Sequence, residues 1–174
     1  MRKKWLALAL SLTMVAGCLT GCGGSDSTTS NTNSGSGSSD SAKVETLADG
    51  GGKVLNIYVW NDEFSSRFEK YYPDYDKSTK SIGDVKVNFI QNANEGNNYQ
   101  DKLDAALKAQ DSASADDKVD MFLCEMDYVN KYTNTDKAVD VKALGLTDDD
   151  MSQMYDYTKQ AATGADGVLR GVSW

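Results

Sequence analysis

The sequence contains no histidine, and it has only one proline and three cysteines in 174 residues. Without histidine there is no Ser-His or Cys-His nucleophile, no imidazole general base and no histidine ligand for zinc. No glycine-rich loop directly follows an apolar strand-like segment, so a backbone site for a phosphate or a dinucleotide is also missing. These absences exclude histidine-based catalysis and the commonest zinc ligand. We predict no catalytic residue, no metal site and no cofactor.

Positive charge is scarce over most of the chain. All 26 acidic residues but only 15 of the 18 basic residues follow Cys22, which gives that part a net charge of −11. An acidic surface repels phosphate backbones, so we predict no nucleic-acid partner.

No apolar run is long enough to cross a bilayer. The longest one near the start, residues 5–16, has about a dozen residues where a spanning helix needs about 20. It follows Arg2-Lys3-Lys4 and precedes small residues, which is the layout of a secretory signal. We predict a signal peptide over residues 1–21.

Two cysteines close this segment, in "VAGC" and "LTGC", and both tetrapeptides resemble the lipobox of bacterial lipoproteins. Cys22 is the predicted lipidated residue, because the polar "CGGSDS" starts there and cleavage before it removes Cys18. Lipidation of Cys18, or a plain secretion signal, are the alternatives. Two acyl chains hold a protein firmly on a membrane, so the predicted location is the extracytoplasmic face of the bacterial cell membrane.

The chain divides into three parts by composition. Residues 22–52, after the signal, are dominated by Gly, Ser, Thr, Asn and Asp and predict a disordered tether. Residues 53–174 alternate apolar runs with helical patterns and predict the folded domain.

The folded domain has an α/β pattern. Residues 53–60, 84–92 and 118–126 read as buried strands, and helices with Phe64, Phe68 and Tyr71 or with Tyr99, Leu103 and Leu107 on one face separate them. Crossovers of this length favour a mainly parallel sheet flanked by helices. Asn61 or Asp62 is the predicted cap of the first helix, and Pro73 its end.

The last part is less regular. A short helix is predicted near residues 127–136, a longer one over 147–163 and a final strand over 167–174. Because a chain rarely ends in an apolar, aromatic strand, we expect an N-terminal fragment of a longer protein, with a small complete domain as the alternative.

Ligands of open parallel sheets bind beyond the carboxyl ends of the strands. The residues predicted to bind a ligand there combine aromatic rings with amides and carboxylates: Trp60, Asn61, Asp62, Glu63, Glu125, Asp127 and Trp174. This mixture suits a neutral, hydroxyl-rich ligand. Trp60 is more typical of a core or rim aromatic than of a ligand platform. Asp62 is equally interpretable as a helix cap, and Glu125 and Asp127 as solvated loop acids. The asparagines of residues 92–98 are interpretable as a turn that could line the same crevice.

Four stretches together resemble the extracellular solute-binding lipoproteins of carbohydrate ABC importers: "LTGCGG", "LNIYVWNDEF", "YQDKLDAALKAQ…DDKVDMFLCEMDYVNKY" and "YDYTKQAATGADGVLRGVSW". The resemblance implies a periplasmic-binding-protein-like fold of two lobes, of which residues 53–174 are the first and the second is mostly missing. It also implies a carbohydrate ligand, ABC permease subunits as partners, and a monomer without enzymatic activity.

By position in that family, residues 60–63 correspond to the first ligand loop, and Asp127 to an acid that bonds sugar hydroxyls. Trp174 would lie near the crossing between lobes. Cys124 stands where maltodextrin binders have a tryptophan, so that subsite differs here; inside an apolar strand, Cys124 is predicted to be an inert core thiol. The alternatives are an anchored glycoside hydrolase using Glu125 and Asp127, and a ligand-sensing module without transport.

Overall fold

The computed structural model describes residues 50–174. The predicted signal peptide, Cys18, Cys22 and the tether up to residue 49 lie outside the described residues. Within residues 50–174 no helix has both the length and the apolar character needed to cross a membrane.

The described residues form five strands, four α-helices and two short 3₁₀ turns. The strands are β1 (Val54–Val59), β2 (Tyr75–Asp76), β3 (Ser81–Ile82), β4 (Val85–Gln91) and β5 (Met121–Phe122). The helices are α1 (Glu63–Tyr71), α2 (Asn98–Ala109), α3 (Asn130–Thr133) and α4 (Asp156–Ala161), and the 3₁₀ turns are Gln110–Ser112 and Ala115–Asp117.

The strands form one mixed sheet in the order β2-β3-β4-β1-β5. β1 pairs in parallel with β4, from Val54 opposite Lys86 onward, and in parallel with β5, where Ile57 lies opposite Met121. β2, β3 and β4 pair antiparallel. The predicted α/β class is confirmed, and the three predicted strands are parallel; the antiparallel β2 and β3 make the sheet mixed rather than mainly parallel.

Helices cover both faces of the sheet. Successive side chains of a strand point to opposite faces, and both faces carry apolar side chains that the helices bury. On one face α1 packs over a cluster of Ile57, Val59, Val87 and Leu123. On the other face α2 and α3 supply Tyr99, Leu103, Leu107 and Tyr132, which pack with Val119 and the partly buried Tyr58, Phe122 and Cys124. The core therefore has two layers, one on each side of the sheet.

The ends of α1 follow the sequence rules. The side chain of Asn61, not that of Asp62, accepts a hydrogen bond from the Glu63 amide at 3.0 Å. At the other end Tyr72 has extended backbone angles, as expected of a residue before proline, and the helix stops. Phe64 and Phe68 face the core as predicted, but Tyr71 is 69% exposed, so its predicted place on the apolar face is wrong.

The C-terminal part differs from the predictions. Of the predicted helix over 147–163 only α4 is α-helical, and the predicted strand over 167–174 does not form; one bridge joins Thr163 to Leu169 instead. Gly167 has φ +80°, and the Arg170 guanidinium binds both carboxylate oxygens of Asp166 at 2.7 Å. This tight turn reverses the chain, so residues 163–170 pair with one another instead of extending the sheet. The ion pair also holds the pKa of the Asp166 carboxyl well below its usual range.

Candidate functional site

The parallel strands bring three loops to one edge of the sheet. β1, β4 and β5 end side by side: the Asn92 amide donates to the Val59 carbonyl at 2.9 Å, and the Leu123 amide donates to the Tyr58 carbonyl at 3.1 Å. The chain segments that follow these strands therefore start from adjacent points. We call this the carboxyl edge.

Trp60 lies at the centre of the carboxyl edge, directly after β1. It is partly buried and packs against both core clusters. Its ring meets that of Tyr99 edge-on, with centroids 5.4 Å apart and an angle of 89° between the planes. Trp60 is thus a partly buried aromatic at the rim of the core. Its packing agrees with its interpretation as a core or rim residue, and its partial exposure leaves ring surface that a ligand could contact.

The rest of the first predicted loop is exposed. Asn61 caps α1, and Glu63 forms an ion pair with Arg67 one turn further along the helix, at 2.9 Å. The carboxylate of Asp62 makes no hydrogen bond at the start of α1, so it remains open to solvent or to a ligand.

Trp174 packs on α1 through its ring. Its ring lies edge-on to Phe64, with centroids 5.2 Å apart, and the Arg67 guanidinium lies 5.7 Å from its centroid. Trp174 is 56% exposed, so it places a second flat ring beside the first turns of α1, the helix that begins at Glu63.

Glu125 and Asp127 follow β5 and are both exposed. The side-chain amide of Asn94, in the loop between β4 and α2, donates to Glu125 Oε2 at 2.9 Å. No hydrogen bond of the Asp127 side chain occurs among the described residues. From the sequence, Asn94 is predicted only as part of a turn that could line the crevice; the structure brings it to Glu125, one of the predicted acids.

A buried hydroxyl fixes the ends of these loops. Tyr99, at the start of α2, is fully buried, and its hydroxyl donates to the Leu123 carbonyl at 2.8 Å and accepts from the Leu123 amide at 3.1 Å. Burial raises the pKa of Tyr99 far above its usual value, so the hydroxyl keeps its proton. Helix periodicity predicted Tyr99 as a core residue, but the hydrogen bonds of its hydroxyl depend on tertiary contacts that periodicity does not reveal.

Cys124 is adjacent to these residues but is chemically quiet. Burial raises the pKa of its thiol to about 12, so almost no thiolate exists near neutral pH. This agrees with the predicted inert thiol. Among residues 50–174 there is also no group of three Cys, Asp or Glu side chains that could hold a metal ion.

One cavity lies away from the carboxyl edge, in the C-terminal part of the described chain. It has a volume of about 530 Å³, and none of the seven predicted residues lines it. Its charged walls are largely self-compensating: Lys142 binds Asp148 at 2.8 Å, and Lys159 binds Asp156 at 3.0 Å. A shallower cavity of about 340 Å³ lies on α1 and includes Glu63 and Arg67.

No protein-family model, curated protein or solved structure matches the chain. The α/β class is therefore assigned from the described strands and helices alone. A function has to be inferred from the side chains at the carboxyl edge and from the N-terminal sequence.

Proposed function

We propose that the chain is the lipid-anchored, extracytoplasmic substrate-binding component of an ABC importer, and that it captures a sugar or oligosaccharide for uptake without catalysis. The observation that carries the proposal is the carboxyl edge itself. Three parallel strands end there, and the segments after them present an anchored tryptophan, amides and exposed carboxylates. This edge is where open α/β sheets bind ligands.

A neutral sugar fits this chemistry. A flat ring such as that of Trp60 or Trp174 can cover the apolar C–H face of a pyranose, while carboxylates such as Asp62 and Asp127 accept hydrogen bonds from its hydroxyls. The same carboxylates repel phosphorylated solutes. The distribution of side chains favours an uncharged ligand.

The proposal includes a finer account of the fold. The sheet with helices on both faces would be the first lobe of a monomeric periplasmic-binding-protein-like fold, and a ligand would bind between it and a second lobe that closes by a hinge motion. The closed form would then dock on permease subunits in the membrane. The resemblance of the four sequence stretches supports this account, and the α/β layers are compatible with it.

A thermal-shift screen of the full-length protein, which includes the proposed second lobe, tests the ligand class. Neutral mono- and oligosaccharides are compared with amino acids, short peptides and divalent metal ions. A sugar present at about 100 times its dissociation constant adds about 2.7 kcal/mol of stability. This should raise the melting temperature by about 5–10 °C. A shift with a peptide, an amino acid or a metal but with no sugar contradicts the proposal, and release of nitrophenol from nitrophenyl glycosides would favour the hydrolase instead.

The anchor has its own prediction. Cells that express the chain should incorporate labelled palmitate into it, and Cys22→Ser should abolish the label because the acyl chains have lost their attachment residue. Cys18→Ser is the matched control and should keep the label. Label that persists in Cys22→Ser but disappears in Cys18→Ser would move the anchor to Cys18.

A further inference from the structure

One hydrogen bond at the carboxyl edge joins the loops that follow two non-neighbouring strands. Asn94 follows β4 and Glu125 follows β5, and these strands are not neighbours, because β1 lies between them. The bond from Asn94 Nδ2 to Glu125 Oε2, 2.9 Å long, therefore connects two loops that flank the end of β1. Trp60 is the residue at that end. We call the pair of Asn94 and Glu125 the clasp.

Both sides of the clasp are held in place. On the β5 side, the Tyr99 hydroxyl binds the backbone of Leu123, two residues before Glu125. On the β4 side, the Asn98 side chain donates to the Ala93 carbonyl at 3.1 Å, next to Asn94. Because Tyr99 and Asn98 are successive residues of α2, a single helix start fixes both loops. A ligand that used the clasp would find it largely preorganised.

The clasp has unused hydrogen-bonding capacity. Its internal bond takes one hydrogen of the Asn94 amide and one oxygen of the Glu125 carboxylate. The second amide hydrogen, the amide oxygen and Glu125 Oε1 make no other hydrogen bond among the described residues. The clasp therefore offers one donor and two acceptors from a pair of side chains that hold each other in position.

This set of groups matches two adjacent hydroxyls, each of which can donate and accept. A carboxylate, phosphate or sulfate on the ligand would meet Glu125 and the exposed Glu95 and Asp127 nearby in the chain, and like charges repel. We propose that the clasp binds a vicinal diol of an uncharged sugar, with Glu125 as the main acceptor and Asn94 as the residue that orients Glu125. This proposal rests on the proposed function and specifies its ligand class.

Isothermal titration calorimetry of the full-length protein, which includes the proposed second lobe, tests the clasp. The probes are neutral mono- and disaccharides of glucose, galactose, mannose, xylose and arabinose, with the matching deoxy sugars, uronates and sugar phosphates. The variants are Asn94→Ala, Asn94→Asp, Glu125→Gln and the double variant Asn94→Ala/Glu125→Gln. Glu95→Gln is the control: like Glu125→Gln it removes one negative charge, but from Glu95, which follows Asn94 in the chain and is not part of the clasp.

For a neutral sugar that binds the wild type, Asn94→Ala and Glu125→Gln should each weaken binding about tenfold. The double variant should be little worse than either single one, because the two side chains act as a unit. Asn94→Asp should weaken binding further by setting a second negative charge against Glu125. Glu95→Gln should leave neutral-sugar binding unchanged, and all variants should keep the wild-type melting temperature, since both clasp residues are exposed.

The outcomes separate the two proposals. If a neutral sugar binds the wild type and all variants alike, the clasp is wrong and the proposed function stands. If uronates or sugar phosphates bind as tightly as the neutral sugar, the stated ligand class is overturned. It is also overturned if the deoxy sugars, each of which lacks one hydroxyl of a vicinal diol, all bind as tightly as the parent sugar. If no sugar in the panel binds the wild type, the proposed function fails and the clasp proposal fails with it.

Discussion

Replacing Asn56 with leucine is expected to lower the free energy of unfolding by about 3 kcal/mol. Asn56 lies in β1, which has a neighbouring strand on each side, and is only 3% exposed. Its side-chain amide donates to the carbonyls of Asp116 and Lys118, both at 2.8 Å, and its oxygen accepts from the Asn88 side chain at 2.8 Å. Leucine has nearly the same size but can make none of these bonds, so partly buried polar groups on two sides of β1 lose their partner.

Urea unfolding followed by circular dichroism measures this change, as a lower midpoint with an unchanged slope. Asn88→Ala is the matched control: Asn88 is exposed and its loss removes only one of the three bonds, so a decrease of about 0.5–1 kcal/mol is expected. If Asn56→Leu and Asn88→Ala had equal effects, the bonds to residues 116 and 118 would contribute nothing to stability.

The second large effect is expected for Gly164→Ala, which should destabilise the protein by about 2 kcal/mol. A Cβ atom at Gly164 would lie 2.5 Å from the Thr133 carbonyl oxygen and 2.5 Å from the Arg170 guanidinium. Arg170 can move, but the Thr133 oxygen belongs to the backbone of α3, and Thr133 is buried. The segment around Gly164 would therefore have to separate from α3.

Gly50→Ala is the control for the general effect of a methyl group, because within residues 50–174 no atom beyond its chain neighbours lies within 4 Å of its Cβ position. It should change the melting temperature by less than about 1 °C, whereas a loss of 2 kcal/mol corresponds to a decrease of roughly 5 °C in a chain of this size. Equal melting temperatures for Gly164→Ala and the wild type would show that the turn over residues 163–170 does not pack on α3 as described.

The elements with strong periodic patterns were predictable from the sequence. β1 is a nearly continuous apolar run, β4 contains Val85, Val87, Phe89 and Ile90, and α2 carries Tyr99, Leu103 and Leu107 at helical spacing, all three of which the structure buries. Their lengths and order also fixed the parallel pairing, since crossovers of this size bring strands back in the same direction. The carboxyl edge followed from this pairing, and with it the grouping of residues 60–63 and 125–127 at the ends of β1 and β5.

Elements set by short-range geometry or by distant partners were not predictable. β2 and β3 have two residues each, too few for any period, and a turn at Gly83 with φ +58° joins β3 to β4. Trp174 packs on Phe64, and Asn94 meets Glu125, only because the chain has already folded. No local pattern in the sequence encodes these pairs.

The strand order has a kinetic consequence. β1 is the first strand of residues 50–174 to be synthesised, yet Asn56 in β1 contacts Asn88 in β4, 32 residues later, and Asp120 just before β5, 64 residues later. Pairing β1 with β4 and β5 requires the chain to close long loops, and the entropy cost of closing them slows folding. The sheet of residues 50–174 therefore cannot form until the segments of β4 and β5 have been synthesised.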